Sequence, residues 1–93
     1  MKKINLNSKV IINNEQLFTE IDNELVLMSI ETGKYYSLNT VGLRVWELLK
    51  NPMLVSELLN RLQEEFNVEK EQCETEVISL LQKMLANNLV MLA

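Results

Sequence analysis

The sequence predicts an α+β fold of winged-helix-like type, a three-stranded antiparallel sheet followed by three helices, and three observations carry that reading. The first third of the chain alternates apolar and polar residues with a period of two. The remainder repeats its apolar residues with a period near 3.6, and turn residues stand close to where the period changes. The chain has 93 residues, which suits a single domain over 1–93 with its core from about Val10 to Leu92. Two glycines, one proline and no repetitive tract leave no composition suited to a linker.

The strand segments are Val10 to Ile12, Leu17 to Ile21, Leu25 to Ile30 and Lys34 to Leu38, expected as an antiparallel meander. Asp22-Asn23 and Glu31-Thr32-Gly33-Lys34 are the turns between them, and Gly33 can take the positive φ that a tight hairpin requires. The last of these strands is short, β-prone and aromatic, and no strand of similar quality follows to cover it. A free sheet edge is therefore expected at Lys34 to Leu38.

Asn39 suits the N-cap of a first helix whose Val41, Val45, Leu48 and Leu49 share a face around Trp46. Asn51-Pro52 stops it, because proline restricts the preceding residue. A second helix runs to about Phe66, with Val55, Leu58, Leu59, Leu62 and Phe66 inward and Glu57, Arg61, Glu64 and Glu65 on the wet side. After a break at Asn67-Val68, a third helix spans about Glu69 to Asn87, acidic at its start and carrying Lys83 towards its end, as the helix dipole favours. Leu89 to Leu92 is expected as a short closing strand.

Composition narrows the function. A net charge of −4 would repel phosphate backbones, and the third helix sets Glu69, Glu71, Glu74 and Glu76 against Lys70 and Lys83, so nucleic acid is not the expected partner. No apolar run approaches the roughly 20 residues of a membrane span. The opening MKKINLNSKV lacks the apolar centre of a secretory signal, and a lone Cys73 cannot close an internal disulfide, which points to a cytoplasmic protein. There is no histidine, and Cys73 shares a helical stripe with Val77, Leu80, Leu81 and Met84, so it reads as a core thiol and not as a nucleophile. With no glycine-rich phosphate loop and no metal-ligand spacing, the chain is expected to be no enzyme and to need no cofactor.

What remains is binding. A free-edged strand offers backbone groups that an extended peptide can complete as one more strand, and the third helix can wall the adjoining groove. At about 100° per residue, Cys73, Val77, Leu80 and Met84 form its central stripe. Ile78, Leu81 and Leu85 widen that stripe on one flank, and Glu76, Lys83 and Asn87 lie on the other. Either flank could face the groove. A winged-helix adaptor or transcriptional regulator that binds protein is the alternative from a different class.

The run from Glu24 to Leu49 resembles the PqqD-like family of peptide-recognition proteins. A hairpin end of the form TGxYYxLN is matched by Thr32 to Asn39, and xxGxxxWELL by Gly42 and Trp46 to Leu49. An acidic residue and valine followed by xxLLxxM are matched by Glu76, Val77, Leu80, Leu81 and Met84, so the likeness covers nearly the whole chain from about Val10. The resemblance implies a RiPP recognition element, which binds the leader segment of a ribosomally made precursor and presents it to a modifying or cleaving enzyme. By position it implies peptide-binding roles for Lys34, Tyr35, Tyr36, Ser37 and Leu38 on the strand and for Glu76, Leu80, Lys83 and Met84 on the helix. Within the family the chain looks most like the stand-alone recognition protein of lasso-peptide biosynthesis, which works with a separate leader peptidase. A PqqD-type chaperone serving a radical SAM enzyme is the alternative. The chain departs from the pattern at Leu54 and Glu69, where better helix caps are common, and at Glu76, where aspartate is common.

Overall fold

The computed structural model describes residues 3–13, 17–21, 24–28, 33–38 and 40–93. The expected turn residues Asp22, Asn23, Glu31 and Thr32, the strand end Ser29-Ile30 and the cap Asn39 lie outside the described residues. Gly33 has φ +71°, the left-handed conformation expected of a tight hairpin.

In chain order the elements are β1 (Lys9–Ile12), β2 (Leu17–Ile21), β3 (Glu24–Met28), β4 (Tyr35–Leu38), α1 (Thr40–Leu48), β5 (Met53–Leu54), α2 (Val55–Glu65), α3 (Lys70–Ala86) and β6 (Val90–Leu92). The strand segments do not form one meander. β2, β3 and β4 do, antiparallel throughout, but β1 lies in a second antiparallel sheet of order β5-β1-β6. The correction has a physical origin: one partner of β1 is the two-residue β5, too short to show a period, and the other is the closing strand some 80 residues away.

Both sheets face one core. Val10 and Ile12 on β1 and Val90 on β6 join Leu27 on β3 and Leu38 on β4 in a single cluster with the apolar faces of the helices. Trp46, Leu49, Leu58, Leu62 and Leu81 are buried at its centre. Cys73 is buried there too, and desolvation first, then the nearby Glu76 carboxylate, hold its thiol above the usual range, which disfavours the nucleophilic thiolate.

Local chemistry sets the helix ends. Leu54 and Glu69 occupy the N-cap positions of α2 and α3, and neither side chain caps its helix. At α2 the Glu57 carboxylate accepts a hydrogen bond from the Leu54 amide at 3.3 Å, the reciprocal half of a capping box. α3 closes differently. The Leu89 amide donates to the Met84 carbonyl at 2.8 Å and the Asn88 amide to Leu85 at 3.2 Å, with Asn88 at φ +58°. This is a Schellman closure, and its apolar pair, Met84 and Leu89, is buried. The turn is also held by the buried Asn13, whose side-chain amide donates to the Asn88 carbonyl at 2.8 Å.

Candidate functional site: a groove beside an edge strand

β4 ends its sheet. It pairs with β3 through Leu25↔Leu38, Val26↔Ser37, Leu27↔Tyr36 and Met28↔Tyr35, and no described strand lies on its other side. Period-two alternation turns Leu38 into the core, while Tyr35 and Ser37 are exposed, Tyr35 at 71%.

At the end of this strand, beside Ser37 and Leu38, lies a groove of about 440 Å³. One side is Ser37 and Leu38, continued by Val41, Gly42 and Val45 of α1. The facing side is Gln72, Cys73, Glu76, Val77 and Leu80 of α3, and Asn67, Val68 and Glu69 close one end. Leu38, Val45, Cys73 and Val77 are buried and make an apolar floor. Gln72 and Glu76 are exposed on the rim, joined by a hydrogen bond from Gln72 Nε2 to Glu76 Oε1 at 3.1 Å. The groove is close-walled at α1 because residue 42 is glycine. A Cβ there would sit 2.9 Å from the Leu38 Cβ, so only glycine lets α1 approach β4 this closely.

Of the polar flank Glu76, Lys83 and Asn87 only Glu76 lines the groove, with Gln72 next to it, and none of Ile78, Leu81 and Leu85 does, so α3 gives the groove its stripe Cys73, Val77 and Leu80 and one residue of the polar flank. Of the nine residues singled out from sequence, Ser37, Leu38, Glu76 and Leu80 line this groove together. Lys34 and Tyr35 are exposed at the start of the same edge. Tyr36 lies in β4 opposite Leu27, and its side chain is outside the description. Lys83 instead borders a shallow depression with Ile78, Ser79 and Gln82. Met84, 1% exposed, is a core residue and part of the Schellman closure, so it gives the groove no surface. Sequence reasoning missed the contribution of α1. The available signal was Gly42 itself, since a glycine inside a helix costs about 1 kcal/mol relative to alanine and is tolerated where backbones must come close.

The family model for coenzyme PQQ synthesis protein D (PqqD) matches residues 24–90, more than two thirds of the chain. The chain belongs to the PqqD family. Its matched region opens at β3 and ends at the start of β6, so it contains both walls of the groove. Among solved structures, this PqqD-family chain is similar to TbiB1, described in complex with the TbiA(beta) leader peptide. The two share 28% identity with a TM-score of 0.72, over 86% of this chain and 93% of that one. Comparison with curated protein sequences gives no significant match. Among the described residues no group of three or more His, Cys, Asp or Glu side chains could hold a metal, and no helix is long and apolar enough to cross a membrane.

Proposed function

We propose that this protein is a RiPP recognition element. It takes the leader of a precursor peptide as an antiparallel strand on β4, with the leader's side chains resting in the groove against α3. The observation that carries this reading is the edge strand β4 standing beside an apolar-floored groove. The likeness to TbiB1, a leader-peptide complex at 28% identity, supports it. In this reading the fold is a winged-helix-like one turned to peptide recognition, the acidic face of α3 being unsuited to DNA. The protein adds no chemistry of its own. It hands the bound leader to a separate cytoplasmic enzyme, which in the lasso-peptide reading is a leader peptidase.

The magnitudes fit such a role. Four or five strand-type hydrogen bonds contribute about 0.5–1.5 kcal/mol each. Two apolar anchors in the groove contribute about 1.5–3 kcal/mol each. Ordering the peptide offsets several kcal/mol of this, so a micromolar complex, about 8 kcal/mol, is reached when the individual terms lie towards the upper end of their ranges.

The test is a fluorescence-polarisation titration with a labelled leader from the precursor encoded beside this gene, against a scrambled control. Consecutive amides of a strand point to opposite edges, so of Tyr36→Pro and Ser37→Pro one removes a bond to β3 and the other an outward donor. The variant that keeps the fold is expected to bind about two- to a hundredfold more weakly, the loss of one to two such bonds. Unchanged affinity in both variants, each folded by circular dichroism, would remove strand addition from the account.

A further inference from the structure

Among the described residues, the charged side chains that line the groove are Glu69 and Glu76, and both are acidic. Taken at 100° per residue, positions 72 and 76 fall about 40° apart on α3, so the Glu76 carboxylate and the Gln72 amide border the same side of the groove, and Glu69 stands at its adjoining end. The two acids are not equivalent. Glu69 is the N-cap residue of α3, where the positive end of the helix dipole partly offsets its charge. Glu76 lies two turns further in, beyond the reach of that offset. Burial first, and then the Glu76 carboxylate, raise the Cys73 thiol, so Glu76 lies close enough to act on the groove floor.

Resting on the recognition reading above, we infer that the groove selects a leader segment bearing a lysine or arginine next to its apolar anchor, with Glu76 as the main specificity-determining residue and Glu69 a weaker second. An extended ligand on β4 is flanked by α3, and its side chains alternate by strand geometry. The apolar floor of Leu38, Val45 and Val77 takes the anchor. A neighbouring side chain that reaches the α3 rim meets Glu76, already oriented by the Gln72 hydrogen bond. A cation there gains a charge-assisted bond, whereas an aspartate or glutamate meets like charge in a partly desolvated cleft. The acids therefore serve to reject wrong leaders as much as to hold the right one.

The test is selection from a random twelve-residue peptide library displayed on phage against the full chain, in parallel with Glu76→Lys and Glu76→Gln. Because Glu76 is exposed, both variants are expected to fold. Binders enriched by the native chain should carry Lys or Arg at one fixed offset from an apolar residue. Replacing that residue by Glu should weaken a selected peptide about three- to tenfold, and Glu76→Lys should invert the preference. Enriched binders that compete with the leader yet show no charge preference at any position, or a preference indifferent to Glu76→Lys, would overturn the specificity proposal and leave leader recognition standing. Failure to enrich any peptide would overturn both.

Discussion

The two three-stranded sheets face the same core but are finished differently. β5-β1-β6 is tied into the chain around it. The Ile12 amide donates to Leu49, Asn13 to Leu89, Val55 to Ser8 and Ala93 to Lys9, all at 2.8–2.9 Å, so the ends of α1 and α3 and the start of α2 are fastened to this sheet. The amino-terminal segment adds a further tie, the Ile4 amide donating to Gln82 Oε1 at 3.0 Å on α3. The β2-β3-β4 meander is built from near neighbours in sequence, and β4 ends it beside the groove. One sheet collects the chain's distant parts into a scaffold, and the other uses local pairing to present an edge. Natural proteins usually blunt such edges, and the exposed Tyr35 and the apolar-floored groove beside this one accord with the proposal that a partner covers it.

The largest expected effect comes from breaking the scaffold. Val10 is fully buried in the central strand β1, and Val10→Asp would put an unpaired carboxylate there. A loss of about 4 kcal/mol or more is expected, a large part of the stability of a domain this size. Chemical denaturation should show an unfolded or barely folded chain. A damaged Val10→Asp protein that still melted near the native temperature would contradict the scaffold role. Gly42→Ala strikes the join between the two regions. Its new Cβ, 2.9 Å from the Leu38 Cβ, must push α1 from β4, at a cost of about 1–3 kcal/mol. Here leader affinity should fall along with stability, because the displaced residues are the groove's own wall.

A smaller effect is expected at Asn88, which lies on the scaffold side and away from the groove. Asn88→Ala places a Cβ-bearing residue without a local polar side chain at φ +58° and should cost about 1 kcal/mol, whereas Asn88→Gly should be neutral or slightly stabilising. Neither should alter leader affinity, which separates scaffold from edge. The smallest effect concerns the ion pair that links α1 to α2. Arg44 Nε and Nη2 meet the Glu65 carboxylate at 2.6 and 3.0 Å, with Arg61 Nη2 at 3.6 Å. The Arg44 hydrogen bonds hold Glu65 below its ordinary value. A depressed carboxylate contributes stability above its unfolded value and loses it as pH falls through the folded one. Melting temperatures of the native chain and Glu65→Gln should therefore differ by a constant small amount at neutral pH and converge below about pH 4. A difference that grew on acidification would rule out this pairing.

Much of the meander and all three helices were legible because each carries several periods of its own pattern. Leu58, Leu59 and Leu62 announce the inward face of α2 with no help from the rest of the chain. The second sheet was not legible, because β5 has two residues and the partnership of β1 with β6 is non-local. The expected edge at Lys34 to Leu38 rested on a simple fact, that no strand-like segment of similar quality follows it immediately. The groove was half legible. Leu80 and Glu76 share a helix face that arithmetic can find, but which flank turns inward depends on how α3 packs on α2 and β6. Met84 was misplaced for the same reason: its stripe position is correct, yet the Schellman turn and Leu89 bury it. Gly42 carried its meaning in plain view, but only its distance to Leu38 shows what its missing side chain permits.

The most direct measurement is amide hydrogen exchange, followed by NMR on the labelled chain with and without the leader peptide, comparing the edge strands β4 and β6. Strand addition at the groove predicts that outward-pointing amides within 35–38 slow markedly on binding, while those of 90–92 do not change. Saturable binding with slowed exchange at β6, or with no change at β4, would contradict the claim that β4 is the edge kept open for the leader.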